Sequence, residues 1–588
     1  MLKCPLLAAA TLLACASLGC STKNKSSAND AGPEGAAAMM GPGVPQPDCS
    51  ADSKDWPMFG QNVCNTSSQA SAGGISKDTV GKLAPKWQYD KSAGDVSATP
   101  AVAGGSVFFP DWGGMINRLD AMTGSVTWSK SISDLLTAAG KPGNLGGFVS
   151  RNTPVVTEGL VIFGIMRDPP QVITMPGTGA YLMAISQDTG AVKWVTLLEP
   201  HPVAVISGSP VVDGSTLYVG VSSQEEYSGL AAAIAPALGI NYSCCSFRGS
   251  AVAVDVMTGA IKWQTYTISD ELYGAKAGQL VTDAAPPPMP GYTGIAIWSS
   301  TPVVDRKRKQ VYFGTGDNYS QPSGTVGKVD GNWVDAVVAL DMDTGKMKWV
   351  QSVPNGNKAM SDSFAVAKMG STGPDSDFGA GPNLYTAMID GAPKDLVGAG
   401  QKSGYVFAFD ADNGNIVWSM NIGPGGGTGG IQWGTATDGT RIYTGNNNSS
   451  GAMLTLLGTG ANAGQPYTTG SWTALNAATG DIIWQIANPA LDKPMNAATV
   501  NGPVAVVNGV MFGGSMDAQG TMFALDGATG DVLWQFQCGA TVYGGPAISG
   551  GMVYWGCGYP GQGGLTAKRP LGFGTSTTKA SLYAFSVP

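Results

Sequence analysis

The sequence predicts an all-β fold: an eight-bladed β-propeller closed by strands from both ends of the chain. Three observations predict it. A hairpin of the form Asp-x-x-Thr-Gly, ending in Trp, recurs along the chain. Half-copies of that hairpin stand at the two ends. The composition, with 85 Gly, 15 Trp and only 13% charged residues in 588, suits short strands and turns.

The fullest copy of the repeat runs from Phe523 to Trp534. Asp526 and Thr529 can bond the backbone of a tight turn, and Gly530 supplies a positive φ without steric cost. The flanking residues favour strands. Relatives end at Trp128, Trp194, Trp263, Trp349, Trp418 and Trp484, giving seven complete units. A lone hairpin cannot bury its apolar face, so the copies must stack. Pro85 to Asp90 reads as a last strand without its partner. Leu582 to Val587 reads as a penultimate strand without turn or Trp. Each supplies what the other lacks, which predicts an eighth unit made from both ends and a closed ring. From Trp87 to Trp534 the spacing averages about 64 residues, long enough for several blades to carry functional loops.

Residues 1–20 read as a signal peptide, 21–50 as a flexible low-complexity tether and 51–588 as the propeller. Ser17-Leu18-Gly19-Cys20 resembles a lipoprotein processing box, and Leu12-Leu13-Ala14-Cys15 is an alternative. The expectation is export through the Sec pathway and a lipid-anchored, periplasmic or outer-membrane location. In that compartment disulfides persist. Cys538 and Cys557 flank one predicted hairpin and can pair, as can Cys49 and Cys64. Cys244 and Cys245 are adjacent, and bridge each other only with a distorted backbone. The other reading is two thiols, reduced or separately paired. Net charge is −8 with no basic stripe, which argues against a nucleic-acid partner.

An earlier strand in each unit ends in an apolar run, Gly and a polar loop. In a closed ring those loops share one rim around the axis. They hold Asp111, Glu225, Glu226, Asp317, Lys402 and Asn446 to Asn448. Any one such acid is what a solvated loop carries. The set at matched positions points to an oxygen-rich cation site. Asp375-Ser376-Asp377-Phe378-Gly379 is a second acidic loop, with Phe378 as its anchor; a carboxylate held beside a cation is a candidate general base. Trp298 and Trp433 stand near blade starts, where simple inter-blade packing is the plain reading. The single histidine, His201, and the absence of Cys-x-x-Cys-His exclude covalently bound haem c.

These motifs together resemble the pyrroloquinoline-quinone (PQQ) dehydrogenases, their polyvinyl-alcohol dehydrogenase branch in particular. The likeness is carried by Trp56 to Asn62, Val221 to Glu226, Cys244 to Ser250, Ile297 to Ser300, Gly314 to Tyr319, Gly373 to Gly379, Gly400 to Gly404 and Gly429 to Gly434. It implies PQQ and Ca²⁺ on the propeller axis and oxidation of a small or polymeric alcohol. Electrons would pass to a separate soluble cytochrome c. By the resemblance, Glu226 and Asp317 ligate Ca²⁺ with Asp377 beside them, and Asp377 takes the alcohol's proton. Lys402 bonds the quinone oxygen, while Arg151 and Arg248 meet cofactor carboxylates. A Cys244–Cys245 disulfide covers one face of the quinone, with Trp298 on the other and Trp433 nearby. Ser376 departs from the pattern, where an aromatic residue is expected. The alternative is a non-catalytic, lipid-anchored propeller scaffold of the outer-membrane assembly type, which shares the repeat but needs none of these motifs.

Overall fold

Every Asp-x-x-Thr-Gly segment turns between the third and fourth strands of a four-stranded antiparallel blade. Blade 1 shows the pattern from the axis outward: Ala101–Ala103, Ser106–Pro110, Met115–Asp120 and Val126–Ser131. The structure is a computed structural model. It describes residues 45–49, 54–71, 73–167, 178–225, 245–273, 291–322, 329–353, 375–426, 429–490, 499–559 and 580–588. The predicted signal peptide and the tether as far as residue 44 lie outside them. Residues 45–49 dock on the propeller. The Gln46 side chain exchanges hydrogen bonds with the backbone of Thr386, and Asp48 pairs with Arg306.

The expected closure is present. Blade 8 is built from Ala547–Ser549, Met552–Cys557 and Ser581–Ser586 near the C-terminus. Its outermost strand is Ala84–Tyr89 from the other end of the chain.

Neighbouring blades are joined by the repeat's own Trp. Trp418 Nε1 donates to Ala477 O, and Trp484 Nε1 to Gly527 O, each acceptor lying in the next blade's turn. The same bond links Trp87, Trp128, Trp194, Trp263 and Trp349 to the turn that follows. Blade 8 has no such turn, and Trp534 Nε1 instead donates to Leu83 O, just after the 3-10 turn Val80–Lys82. The turn glycines have two duties here. Gly480 sits at φ 76°, and a Cβ there would lie 2.5 Å from the ring of Trp418. In seven of the eight blades the residue paired across from the Trp is Ala, which leaves room for the indole.

The axis is plugged at one end. Residues 56–69 cross it and hydrogen-bond to the innermost strands of successive blades. Trp56 pairs with Val102, and Pro57 O accepts from Val156 N. Val63 O accepts from Val304 N, and Cys64 O from Leu384 N. Thr66 O accepts from Thr437 N, and Ser67 O from Val506 N. Gln69 Nε2 reaches Ile548 O of blade 8. The Cys49–Cys64 disulfide fastens the plug, and Cys538–Cys557 ties blade 8, as the spacing suggested. Among the described residues no helix is long and apolar enough to cross a membrane.

Gly480→Ala should therefore lower the denaturant midpoint more than Gly214→Ala. Both positions have positive φ, each costing about 1–2 kcal/mol, but a Cβ at Gly214 meets open space. Equal midpoint shifts would show that the ring contact contributes nothing.

Candidate active site

The rim loops of blades 4 and 5 meet over the unplugged end of the axis. Phe378 N donates to Thr315 O on the blade 4 rim, and Lys402 N on the blade 5 rim donates to Asp377 O. The Asp375–Ala380 loop is thus laced to both rims. Phe378 anchors it, buried against Phe407 and Phe409. Gly379 lets the Trp298 ring approach, since a Cβ there would lie 2.6 Å from it.

This lacing gathers the side chains. Lys402 Nζ stands 2.8 Å from Asp375 Oδ2 and 3.1 Å from Asp377 Oδ2. Trp298 Nε1 donates to Asp377 Oδ2 at 2.8 Å, and Lys402 Nζ lies 5.1 Å from the Trp298 ring centroid. Asp317 is buried on the blade 4 rim, where its carbonyl accepts from Ile295 N. A further carboxylate, Asp335, sits behind this group. Its N–H donates to Gly316 O, its φ is 46°, and it is 1% exposed.

Charge in this group is costly. Burial pushes Asp375 up to about 7, with Asp377 adding repulsion and Lys402 opposing it. Burial, then repulsion from Asp377 and Asp375, holds Asp335 well above the ordinary carboxylate range. Neither oxygen of Asp335 has a hydrogen-bond partner, and the same is true of Asp375 Oδ1 and Asp377 Oδ1.

Beside Trp298 lies a narrow axial cavity of about 30 Å³. Its floor is Phe59 of the plug. Its walls include Arg151, Trp433, Tyr543 and Tyr559, with hydroxyls from the segments that open the innermost strands. Arg151 lies 4.5 Å from the Trp433 ring, and its Nε is buried without a partner. Trp433 stands edge-on to Trp298 at 5.4 Å and donates to the Tyr543 hydroxyl.

Other expected site residues are placed differently. Arg248 packs 3.7 Å from the Tyr266 ring centroid and donates to Ile268 O and Asp270. Glu225 receives Ser246 N at 2.7 Å and Phe247 N at 2.8 Å, so its carboxylate braces the segment after Cys245. His201 Nε2 lies 2.9 Å from Ser246 Oγ in the same brace. Asp111 caps its own loop through Ser92, Ala93, Gly113, Met115 and Asn117. Asn448 likewise bonds Ala452 within its own loop. Cys245 is disulfide-bonded, and the other described cysteines pair among themselves. Glu226 and Cys244 lie outside the described residues.

Residues 56–425 match the sequence family described as the β-propeller domain of glucose/ethanol/alcohol dehydrogenase, with PQQ as its label. The chain belongs to the PQQ-dependent alcohol dehydrogenases. It is 30% identical over 535 residues to polyvinylalcohol dehydrogenase of Sphingopyxis sp. (strain 113P3), covering 86% of this chain and 73% of that one. Its identity to polyvinylalcohol dehydrogenase of a Pseudomonas species is 28% over 536 residues, with the same coverage. The fold resembles quinohemoprotein alcohol dehydrogenase of Comamonas testosteroni, with a TM-score of 0.64 at 19% identity over 91% of this chain and 80% of that one. It also resembles a europium-containing methanol dehydrogenase, with a TM-score of 0.62 at 18% identity over 91% and 99%. Residues 468–558 match the outer membrane assembly factor BamB, which shares the repeat.

The residues of this dehydrogenase suit a planar, aromatic, carboxylate-bearing cofactor. Trp298 and Trp433 offer ring surfaces, and Arg151 offers an unpartnered buried donor. The donor set beside them also suits a hard cation, because it presents buried carboxylate oxygens that lack partners. Among the described residues no three carboxylates already form a metal cage.

Sequence reasoning named Arg151 and Trp433 but missed the other walls, Tyr543 and Tyr559, and the back of this site. Asp335 stands in Trp333-Val334-Asp335-Ala336, with no flanking Gly or repeat to mark it. The cavity walls carried a readable mark. A small residue and Pro open seven innermost strands, at Thr99-Pro100, Thr153-Pro154, Ser209-Pro210, Thr301-Pro302, Gly381-Pro382, Gly502-Pro503 and Gly545-Pro546.

In the cofactor-free protein, Asp375 and Asp335 keep their protons in the fold at pH values where the unfolded chain has lost them. Stability should therefore fall as pH rises from about 4 towards 7 and beyond. Asp335→Asn should flatten that slope and raise the melting temperature at pH 8 by several degrees, read in melts from pH 4.5 to 8.5. A variant melting at or below wild type at pH 8 would show that the Asp335 carboxyl is no burden to the fold.

Proposed function

We propose that the enzyme oxidises a secondary, polymer-borne alcohol with PQQ and Ca²⁺ and passes the electrons to a separate soluble cytochrome c. The observation that carries this reading is the Lys402–Asp375–Asp377 group against Trp298, beside an aromatic axial cavity. PQQ, when bound, would supply the hydride-accepting quinone, and Ca²⁺ held by the buried carboxylates would supply Lewis-acid chemistry.

The chain's own residues do the rest. Trp298 Nε1 and Lys402 hold Asp377 through Oδ2, leaving Oδ1 to accept the hydroxyl proton. Lys402 would present its ammonium group to a bound quinone. Arg151 and Trp433 orient the cofactor. Asp317 and Glu226 are the proposed cation ligands, with Asp377 at the same ion. The bonded state of Cys245 supports a Cys244–Cys245 disulfide over the cofactor face. Arg248 takes a supporting place in this scheme, since Tyr266 and Asp270 already engage it.

A second reading of the base rests on one observation. Asp375, raised to about 7, is matched to proton transfer near neutrality, and its Oδ1 has no partner. The export signal and lipidated Cys20 or Cys15 complete the proposal, placing the enzyme in the periplasm or at the outer membrane.

Purified protein supplied with PQQ and Ca²⁺ should reduce a dye in the presence of secondary alcohols, and a chelator should abolish the reaction. Asp377→Asn should bind PQQ and lose about 10²–10⁴-fold in kcat, while Asp375→Asn loses less. The reverse order would move the base to Asp375. Saturable PQQ binding without turnover on any alcohol would overturn the enzymatic reading.

A further inference from the structure

Ser246 follows the disulfide-bonded Cys245, and each of its polar groups is held by a side chain from another segment. Its N–H donates to Glu225 Oε1 at 2.7 Å. Its Oγ lies 2.9 Å from His201 Nε2, and its carbonyl accepts from the Tyr273 hydroxyl. Phe247 N adds a bond to Glu225 Oε2 at 2.8 Å. A carboxylate suits this place because its two oxygens take two successive N–H donors at once.

The holders are themselves held, in a closed circuit. Glu199 ends the outermost strand of blade 2, Val192–Glu199. It accepts from His201 N through Oε1 and from the Tyr266 hydroxyl through Oε2. The Arg248 guanidinium lies 3.7 Å from the Tyr266 ring centroid and 4.5 Å from that of Tyr273. Tyr273 then returns the circuit to Ser246.

The circuit bears on the active-site rim. Cys245 Sγ lies 3.9 Å from Tyr319 O, and the Phe247 ring stacks on Tyr319 at 6.2 Å and 28°. Tyr319 stands two residues after Asp317. Gly294 N donates to Phe247 O and Ile295 N to Asp317 O, so one short segment joins the two. Cys245 is therefore pressed against the blade 4 rim beside a proposed cation ligand. Glu225 is also the residue before Glu226.

Filling space here does not require polar groups. Phe247 is fully buried and already packs the segment, whereas buried Glu225, Glu199, His201 and Arg248 must each be desolvated. Hydrogen bonds differ from apolar contacts in being directional, so a satisfied polar network specifies one arrangement. What it specifies here is the backbone that leaves Cys245.

We infer that Glu225, His201 and Tyr273 are positioning residues, which fix Ser246 and so hold the Cys245 disulfide at the place on the blade 4 rim that cofactor binding requires. The inference rests on the dehydrogenase reading above and adds residues that act through Cys245.

Glu225→Gln keeps the size of the side chain but sets an amide where two N–H donors converge. The cofactor-free protein is equilibrated with dithiothreitol, which supplies two electrons and two protons to the disulfide and closes to its own cyclic disulfide. Alkylated Cys245 is then read by mass spectrometry. Glu225→Gln should favour reduction of the Cys245 bond about tenfold, a shift of about 30 mV, and leave Cys538–Cys557 where it was. PQQ binding, read by quenching of tryptophan fluorescence, should weaken about tenfold or more. Tyr273→Phe should move both readouts the same way by less, and it decides the matter if Glu225→Gln does not fold. An unshifted Cys245 bond, or PQQ affinity equal to that of a binding wild type, would overturn the inference. So would an equal shift of both disulfides, which is general loosening. A shifted Cys245 bond in a protein whose wild type binds no PQQ would keep the positioning of Cys245 and sink the dehydrogenase reading.

Discussion

The contact between an indole and the turn glycine of the next blade is the interaction on which the rest of this protein depends. It joins two requirements in one residue. The turn needs positive φ, and the ring needs a position without Cβ. Gly124, Gly259, Gly345, Gly414, Gly480 and Gly530 meet both. The indole N–H then satisfies a turn carbonyl that the ring would otherwise cover and deprive of water. Because every blade grips the next, the ring has no free edge except at its seam. There Trp534 reaches Leu83, and Ala84–Tyr89 completes the last sheet.

Closure has a chemical consequence. Eight equivalent strand ends must gather at one rim, so residues far apart in sequence become neighbours without any long-range motif directing them. Plugging the opposite end with residues 56–69 turns a through-channel into a cup, and Phe59 gives the cup an aromatic floor. The plug bonds the blades mainly through its backbone carbonyls, with the Asn65 and Gln69 side chains adding bonds to blades 5 and 8. Phe59 is left to shape the cavity.

The active site uses the stability of this frame. Asp375 and Asp377 share the Lys402 ammonium group, and Asp335 lies buried behind them with no ion pair of its own among the described residues. A cluster with surplus buried carboxylate cannot hold its full charge alone, and Asp375 and Asp335 answer by retaining protons. The same arrangement gives a cation a reason to bind and a base a pKa close to neutrality. Asp335 is the member whose surroundings demand most of the fold, with a strained backbone and both oxygens unpartnered. Glu225 shows the opposite use of a buried carboxylate. Both its oxygens are satisfied by backbone N–H groups, and it acts as a brace.

The architecture was legible in the sequence because its causes are local. A turn that needs Gly, a strand that ends in Trp and a half-repeat at each end are each readable within a dozen residues, and together they determined the eight-fold ring, its seam and the rim that carries Asp317 and Lys402. The disulfides Cys49–Cys64 and Cys538–Cys557 were legible for the same reason. What only the tertiary structure decided is how each rim residue is employed. Asp111, Glu225 and Arg248 stand in the same sequence contexts as the site residues, yet backbone donors claim the first two and Tyr266 and Asp270 claim the third. Asp335 carries no mark at all. Whether a carboxylate is a cap, a brace or a reactive group depends on which donors surround it and how far it is from water. Those are properties of the folded neighbourhood, and the residues that create it come from other blades.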